Sequence, residues 1–317
     1  MDRNTNGVQQ YYQTIRNRLV NYIKSDYLAN SETLLLYTEE ILGEGCPDDI
    51  NIAREPYIET SASYRKVNDG IRTADIEDNV KKVLLKLVDA ELGIYSTPFT
   101  HQVKALTSAL KGKDLFVSTG TGSGKTECFL WPIIARAIEE SLNRPEDFKM
   151  SAVRTLIIYP MNALVADQLA RFRKIMGSKE FKDIFISSSG VGRIPHFGMY
   201  TGRTPYSGKS KRQSNIELAE RYREQYLVDE CATEEERKEQ LRRISGFKSI
   251  NKYPARYGGV EGMKDFINNL EKNIHMPGPY DAEYITRFEI QKNTPDILIT
   301  NYSMLEYMLM RQMESGI

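Results

Sequence analysis

The stretch Ser118-Thr119-Gly120-Thr121-Gly122-Ser123-Gly124-Lys125-Thr126-Glu127 constrains this chain more than any other. Alternating glycines followed by lysine and a hydroxyl residue form the phosphate-loop pattern G-x-x-x-x-G-K-[ST], with Thr119 standing in place of the first glycine. Such a loop belongs between a strand and a helix, where backbone N–H groups converge and the helix N-terminus adds partial positive charge. Leu115-Phe116-Val117 before it is a short apolar run suited to a buried strand, and residues 128–142 carry a helical pattern. Thr119, Gly120, Thr121, Gly122, Ser123, Gly124, Lys125, Thr126 and Glu127 are therefore assigned to nucleotide binding. In that assignment Lys125 reaches the β- and γ-phosphates and the Thr126 hydroxyl ligates Mg²⁺. The competing reading is a glycine-rich turn that happens to contain a lysine, which the full string in its flanking context disfavours.

At 317 residues with 40% hydrophobic side chains, the chain is long enough for one large domain or two ordinary ones with a substantial core. Lys+Arg and Asp+Glu both number 43, so net charge advertises no polyanionic partner and any nucleic-acid surface must come from local patches. Cys46, Cys128 and Cys231 are widely spaced, which argues against a disulfide framework or a zinc site and suits a reducing compartment. None of His101, His196 and His275 stands at metal-ligand spacing from a cysteine. No apolar run approaches the ~18 residues of a membrane span and the N-terminus is too polar for a signal peptide, so the expected location is cytoplasmic, with no membrane partner.

Residues 1–92 read as a helical accessory region, with helices over 8–24, 31–42 and 75–92 and an irregular polar connection over 48–74. From Gly93 the character changes. Pro98-Phe99-Thr100-His101-Gln102 leads into a helix over 103–111 that delivers the phosphate loop. The amide of Gln102 can donate and accept at once, as reading an adenine edge requires; the alternative is an ordinary glutamine at a helix N-terminus. Thr155-Leu156-Ile157-Ile158-Tyr159 is a continuous apolar run fit for a central parallel strand, and residues 161–174 are amphipathic. Alternating strand and helix implies an α/β fold with a parallel sheet and ligands at the strand C-terminal ends.

These residues resemble superfamily 2 DEAD/DEAH-box helicases over about 93–317. Phe99-Thr100-His101-Gln102 is similar to the Q motif, residues 119–126 to motif I, and Tyr159-Pro160-Met161-Asn162-Ala163-Leu164-Val165-Ala166-Asp167-Gln168 to motif Ia. Tyr200-Thr201-Gly202-Arg203 is similar to the T-G element, and Thr294-Pro295-Asp296-Ile297-Leu298-Ile299-Thr300-Asn301-Tyr302 to motif Ib. The wording of the last motifs resembles large bacterial helicases of the Hrq/Mrf repair type and of phage-defence systems. The resemblance implies a RecA-like domain that binds ATP with Mg²⁺ and moves on nucleic acid, with DNA preferred to RNA. It also implies phosphate contacts from Asn162, Gln168, Arg171, Thr201, Arg203 and Thr300, each of which could otherwise be a solvated polar residue on a loop.

A charged insertion is expected over about 203–293, with strands near 184–187 and 198–201 and a helical stretch over 216–243. Hydrolysis needs an acidic element at a strand end to hold the metal shell and orient water. Asp229-Glu230-Cys231-Ala232 imitates it, but stands in a charged helical context and precedes motif Ib, against the family's order. Motif II and the second RecA-like domain are thus expected to be missing, which would leave a weakly active N-terminal piece whose C-terminal half could be a separate chain. The rival readings are a DNA-translocating subunit of a restriction or defence complex and a non-hydrolysing ATP- or DNA-binding module.

Overall fold

The computed structural model describes residues 5–42, 52, 63–205, 212–229, 233–311 and 317. The chain divides into two units, residues 1–63 and 64–317. In the first, α1 (Thr5–Ile23) runs into a wider π turn at Lys24–Leu28, and the chain returns as α2 (Glu32–Leu42). The hydroxyl of Ser31 accepts the Leu34 N–H at the start of α2, and buried Arg16 of α1 donates to the Leu42 carbonyl at 2.7 Å. Most of the polar connection at 48–74 lies outside the described residues.

In the second unit α3 (Gly70–Thr73), α4 (Asp78–Asp89) and α5 (Thr100–Leu110) precede the phosphate loop, and α6 (Glu127–Asn143) and α7 (Pro145–Lys149) follow it. Next come β1 (Thr155–Tyr159), α8 (Asn162–Met176), α9 (Lys179–Ser189) and β2 (Phe197–Tyr200). The remainder is α10 (Arg212–Tyr226), α11 (Glu234–Ser249), α12 (Val260–Glu271), β3 (Glu283–Tyr284), α13 (Arg287–Lys292), β4 (Ile297–Asn301) and α14 (Tyr302–Met310). The strands form one parallel sheet in the order β1-β4-β2-β3, the α/β class that the alternation of elements implies.

Burial follows position in the sheet. Ile297, Leu298, Ile299 and Thr300 of interior β4 are all buried, as a strand covered on both faces demands, whereas edge strand β1 leaves Leu156 and Ile158 exposed. The N-terminal ends of β1, β4 and β2 are locked by one carboxylate. Buried Asp296, just before β4, accepts from Arg154 before β1 at 2.7 Å, from the Arg193 guanidinium at 2.8 Å, and from the His196 N–H before β2 at 2.7 Å. Both guanidinium groups lie over the Phe148 ring, at 5.1 and 4.5 Å from its centroid.

The structure corrects several expectations. Leu115-Phe116-Val117 forms no strand, and Phe116 is 95% exposed. A parallel strand depends on laddered neighbours and two covered faces, and among the described residues this segment has neither. Residues 184–187 belong to α9, which Ser178 caps by accepting the Phe181 N–H at 3.0 Å, so their apolar run is one face of a helix. The helical stretch over 216–243 is broken into α10 and α11, because Thr233 and Glu236 form a capping box that starts a new helix. The compact units divide at 63/64. The apolar stripe of α4, Val80, Val83, Leu84 and Leu87, is buried in the same core as Trp131, Ile134 and Ile138 of α6.

The insertion has its own core, in which Leu218 and Tyr222 of α10 meet Met263, Phe266 and Ile267 of α12. Buried ion pairs brace it, one to α8 and one within the insertion. Arg173 of α8 grips Glu283 of β3 through two nitrogens at 2.6 and 2.7 Å, and buried Arg256 pairs with Glu289 of α13.

Candidate functional site

The phosphate loop enters α6 at Thr126, so the N–H groups at the start of that helix face the loop. Gly122 and Gly124 take φ of 75° and 72°, a region that side chains disfavour. Gly124 has a second reason to be glycine, since a Cβ there would lie 2.3 Å from Gln102 Nε2 and 3.0 Å from Glu127 Oε2. The hydroxyls of Thr119 and Ser123 are 2.6 Å apart and close the loop from inside. Lys125 is exposed and folds back to donate to the Thr119 carbonyl at 2.6 Å, and the Thr126 side chain makes no cap bond to its helix. These two side chains can turn to a ligand without breaking the fold. Directly after them, burial raises the pKa of the Cys128 thiol, with Glu127 beside it adding to the effect.

Two neighbouring segments hold the loop. Gln102 is buried, its amide oxygen accepting from the Phe99 N–H at 2.9 Å and its amide nitrogen donating to the Gly124 carbonyl at 3.1 Å. These bonds use one of the amide's two lone pairs and one of its two N–H groups, and they tie the start of α5 to the phosphate loop. His101 Nε2 donates to the Ser123 carbonyl at 2.8 Å, and its ring stacks on Phe99. The sequence did not single out Tyr64. Residues 65–67 bond to Pro98 and Thr100, and this brings the Tyr64 hydroxyl to accept the Gly120 N–H at 2.7 Å with its ring against Phe99 and His101. No sequence signal marks Tyr64, because its partners lie far along the chain.

On the other side, Glu127 reaches α8. Its Oε1 accepts from Arg171 Nη1 at 3.1 Å, whereas its Oε2 is buried with no hydrogen-bond partner. Gln168 is also buried, its amide nitrogen spent on Asp167 and its amide oxygen unpaired. Tyr159 sits nearby at the end of β1, its phenol pushed up to about 12 by burial, with Arg171 opposing the shift.

Of the expected nucleic-acid residues, Asn162, Thr201, Arg203 and Thr300 lie at or just past the C-terminal ends of β1, β2 and β4, whereas Gln168 and Arg171 lie further along α8. Asn162 at the start of α8 accepts from Asn301 at the end of β4, at 2.6 Å. Thr201 and Thr300 are fully buried. The Thr300 hydroxyl donates to the Tyr200 carbonyl at 2.6 Å and the Thr201 hydroxyl accepts the Arg203 N–H, so both work inside the fold. Arg203 is exposed. Of the six residues, Asn162, Arg171 and Arg203 keep surface that a phosphate could reach, while Gln168, Thr201 and Thr300 do not.

Residues 99–194, from the start of α5 to just before β2, match the family model of the DEAD/DEAH box helicase. These residues belong to the DEAD/DEAH box helicases. The helicase segment thus contains the phosphate loop, Gln102, β1 and α8, and the parallel sheet agrees with a RecA-like helicase domain. The chain is 36% identical to the Druantia protein DruE of Escherichia coli over 98% of its own length and 17% of that relative. It is 38% identical to the probable ATP-dependent RNA helicase ddx27 of Dictyostelium discoideum over 31% of the chain and 12% of the relative. To the ATP-dependent RNA helicase ROK1 of Lodderomyces elongisporus it is 32% identical over 36% of the chain and 19% of the relative. The chain therefore spans less than a fifth of the length of any of these three relatives. Among the described residues no helix is long and apolar enough to cross a membrane.

Proposed function

We propose that this chain binds ATP with Mg²⁺ on the loop at 118–127 and serves as the nucleotide-holding part of an ATP-dependent helicase acting on DNA. The observation that carries the reading is the loop itself. Gly122 and Gly124 hold left-handed turns, α6 begins at once behind them, and exposed Lys125 holds only the Thr119 carbonyl, while Thr126 makes no cap bond to the helix. When bound, Mg²⁺ would supply charge neutralisation between phosphate oxygens, and Thr126 is the residue placed to hold it. Lys125 would leave the Thr119 carbonyl for the phosphates. Gln102, His101 and Tyr64 keep the loop in shape while it does so.

Asn162 and Arg203, at the strand ends, would contact the sugar-phosphate backbone without reading bases. Turnover by this chain alone is expected to be slow. Asp229 follows helix α10 in the insertion and its N–H is held by Gln240, so it does not stand at a strand end facing the loop. Matched single strands of DNA and RNA, titrated with and without ATP and Mg²⁺, test the reading. DNA should bind more tightly and respond to ATP; equal or tighter RNA binding would overturn the DNA assignment. A translocating subunit of a defence complex shares these contacts, and a strand-displacement assay against a triplex-displacement assay separates it from an unwinding enzyme.

A further inference from the structure

The ion pair between Glu127 and Arg171 joins the phosphate loop to the helix that follows β1. Glu127 is the first residue of α6, directly after Lys125 and Thr126, and its side chain is only 9% exposed. One carboxylate oxygen meets Arg171 at 3.1 Å, and the other is buried, unpaired, and lies against Gly124. A buried carboxylate is tolerated only when a positive partner compensates it. Arg171 is that partner. Asp167, the other acid near this guanidinium, is 3.8 Å away and 66% exposed, so water screens it and its claim on Arg171 is weak.

We propose that Arg171 is a positioning residue of the phosphate loop, neutralising Glu127 so that a triphosphate can settle there, and is not itself a nucleic-acid contact. This rests on the ATP-binding reading of the loop. The reasoning is one of charge. Paired, Glu127 and Arg171 sum to zero beside the helix N-terminus that the phosphates approach. Without Arg171 a bare carboxylate stands under Gly124, opposing the partial positive charge that favours an anion. A nucleic-acid phosphate reaching the exposed part of Arg171 would compete for a charge that the buried acid already neutralises, and the pairing with Glu127 is the stronger claim on it.

The test titrates the chain with a fluorescent ATP analogue in Mg²⁺ and, separately, with a single-stranded DNA oligonucleotide. Arg171→Gln should weaken the ATP analogue at least about ten-fold, as unpairing a buried charge does. It should change oligonucleotide affinity by less than about two-fold, as a substitution away from an interface does. The double variant Glu127→Gln with Arg171→Gln is again neutral, so it should recover ATP affinity to within about three-fold of wild type. Thermal melts of both variants establish that folded protein is titrated. The proposal is overturned if the double variant stays as weak as the single one, or if Arg171→Gln weakens the oligonucleotide and spares ATP. Wild-type protein that takes no ATP would overturn the reading of the loop itself, a distinct result because no variant is then needed to see it.

Discussion

At the scale of single residues, the phosphate loop was legible because its chemistry is local. Glycine spacing, a lysine and a hydroxyl sit within one short string, and the structure gives Gly122 and Gly124 the positive φ that spacing implies. Gly124→Ala should abolish ATP binding, since the new Cβ would meet Gln102 Nε2 and strain of about 1–3 kcal/mol would fall on the loop. The melting temperature should fall by only a few degrees, and an ATP titration beside a thermal melt checks both. The bracing bonds of Gln102 were not legible, because they run to Phe99 and to Gly124, and only the fold brings Gly124 near. Burial hid Thr201 and Thr300 in the same way. Asp296 was quoted only as a letter of a motif, yet it closes three strand ends. Asp296→Ala would leave the largely buried Arg193 guanidinium without a carboxylate, with Arg154 keeping only Glu140, and should cost about 3–5 kcal/mol in a urea titration.

At the scale of elements, β1, β4 and the helices after the loop followed from continuous apolar runs and helical spacing. The errors came from short runs that periodicity cannot assign. Ile184 to Ser187 reads equally as strand or helix face, and Ser178, which decides it, lies upstream of the run. The capping box of Thr233 and Glu236 was present in the sequence and marks the start of α11. Leu115 to Val117 has the composition of a strand but no neighbour among the described residues to pair with, a fact that no local pattern encodes. The α4 stripe was legible as apolar, but the core it shares with α6 was not. Leu84 is fully buried in the core it shares with Trp131, so Leu84→Ala should lower the stability of residues 64–317 by about 2–5 kcal/mol. Chemical denaturation monitored by Trp131, the sole tryptophan, reads that loss directly.

At the scale of the whole molecule, the sheet is one cooperative frame, with charged locks at the strand N-terminal ends and the candidate sites at or beside the C-terminal ends. His196 belongs to the locks. Its Nδ1–H donates to the Asp281 carbonyl at 2.7 Å, and burial drives its pKa down to about 4. An unfolded histidine takes its proton near pH ~6.5, so between there and about 4 the unfolded chain holds more protons than the folded one. Stability should therefore fall as pH drops through that window, by about 3 kcal/mol from this residue. Urea titrations at pH 7 and pH 4.5 measure it, and a flat profile would contradict the buried neutral imidazole.

Residues 118–127, braced by Tyr64, His101 and Gln102, are proposed to hold ATP with Mg²⁺. The most direct measurement is an equilibrium titration of ATP into wild-type chain and Lys125→Ala, each with and without Mg²⁺. Saturable, Mg²⁺-dependent binding that the Lys125 variant loses is the predicted result; binding of equal strength in both proteins, or none in wild type, would contradict it.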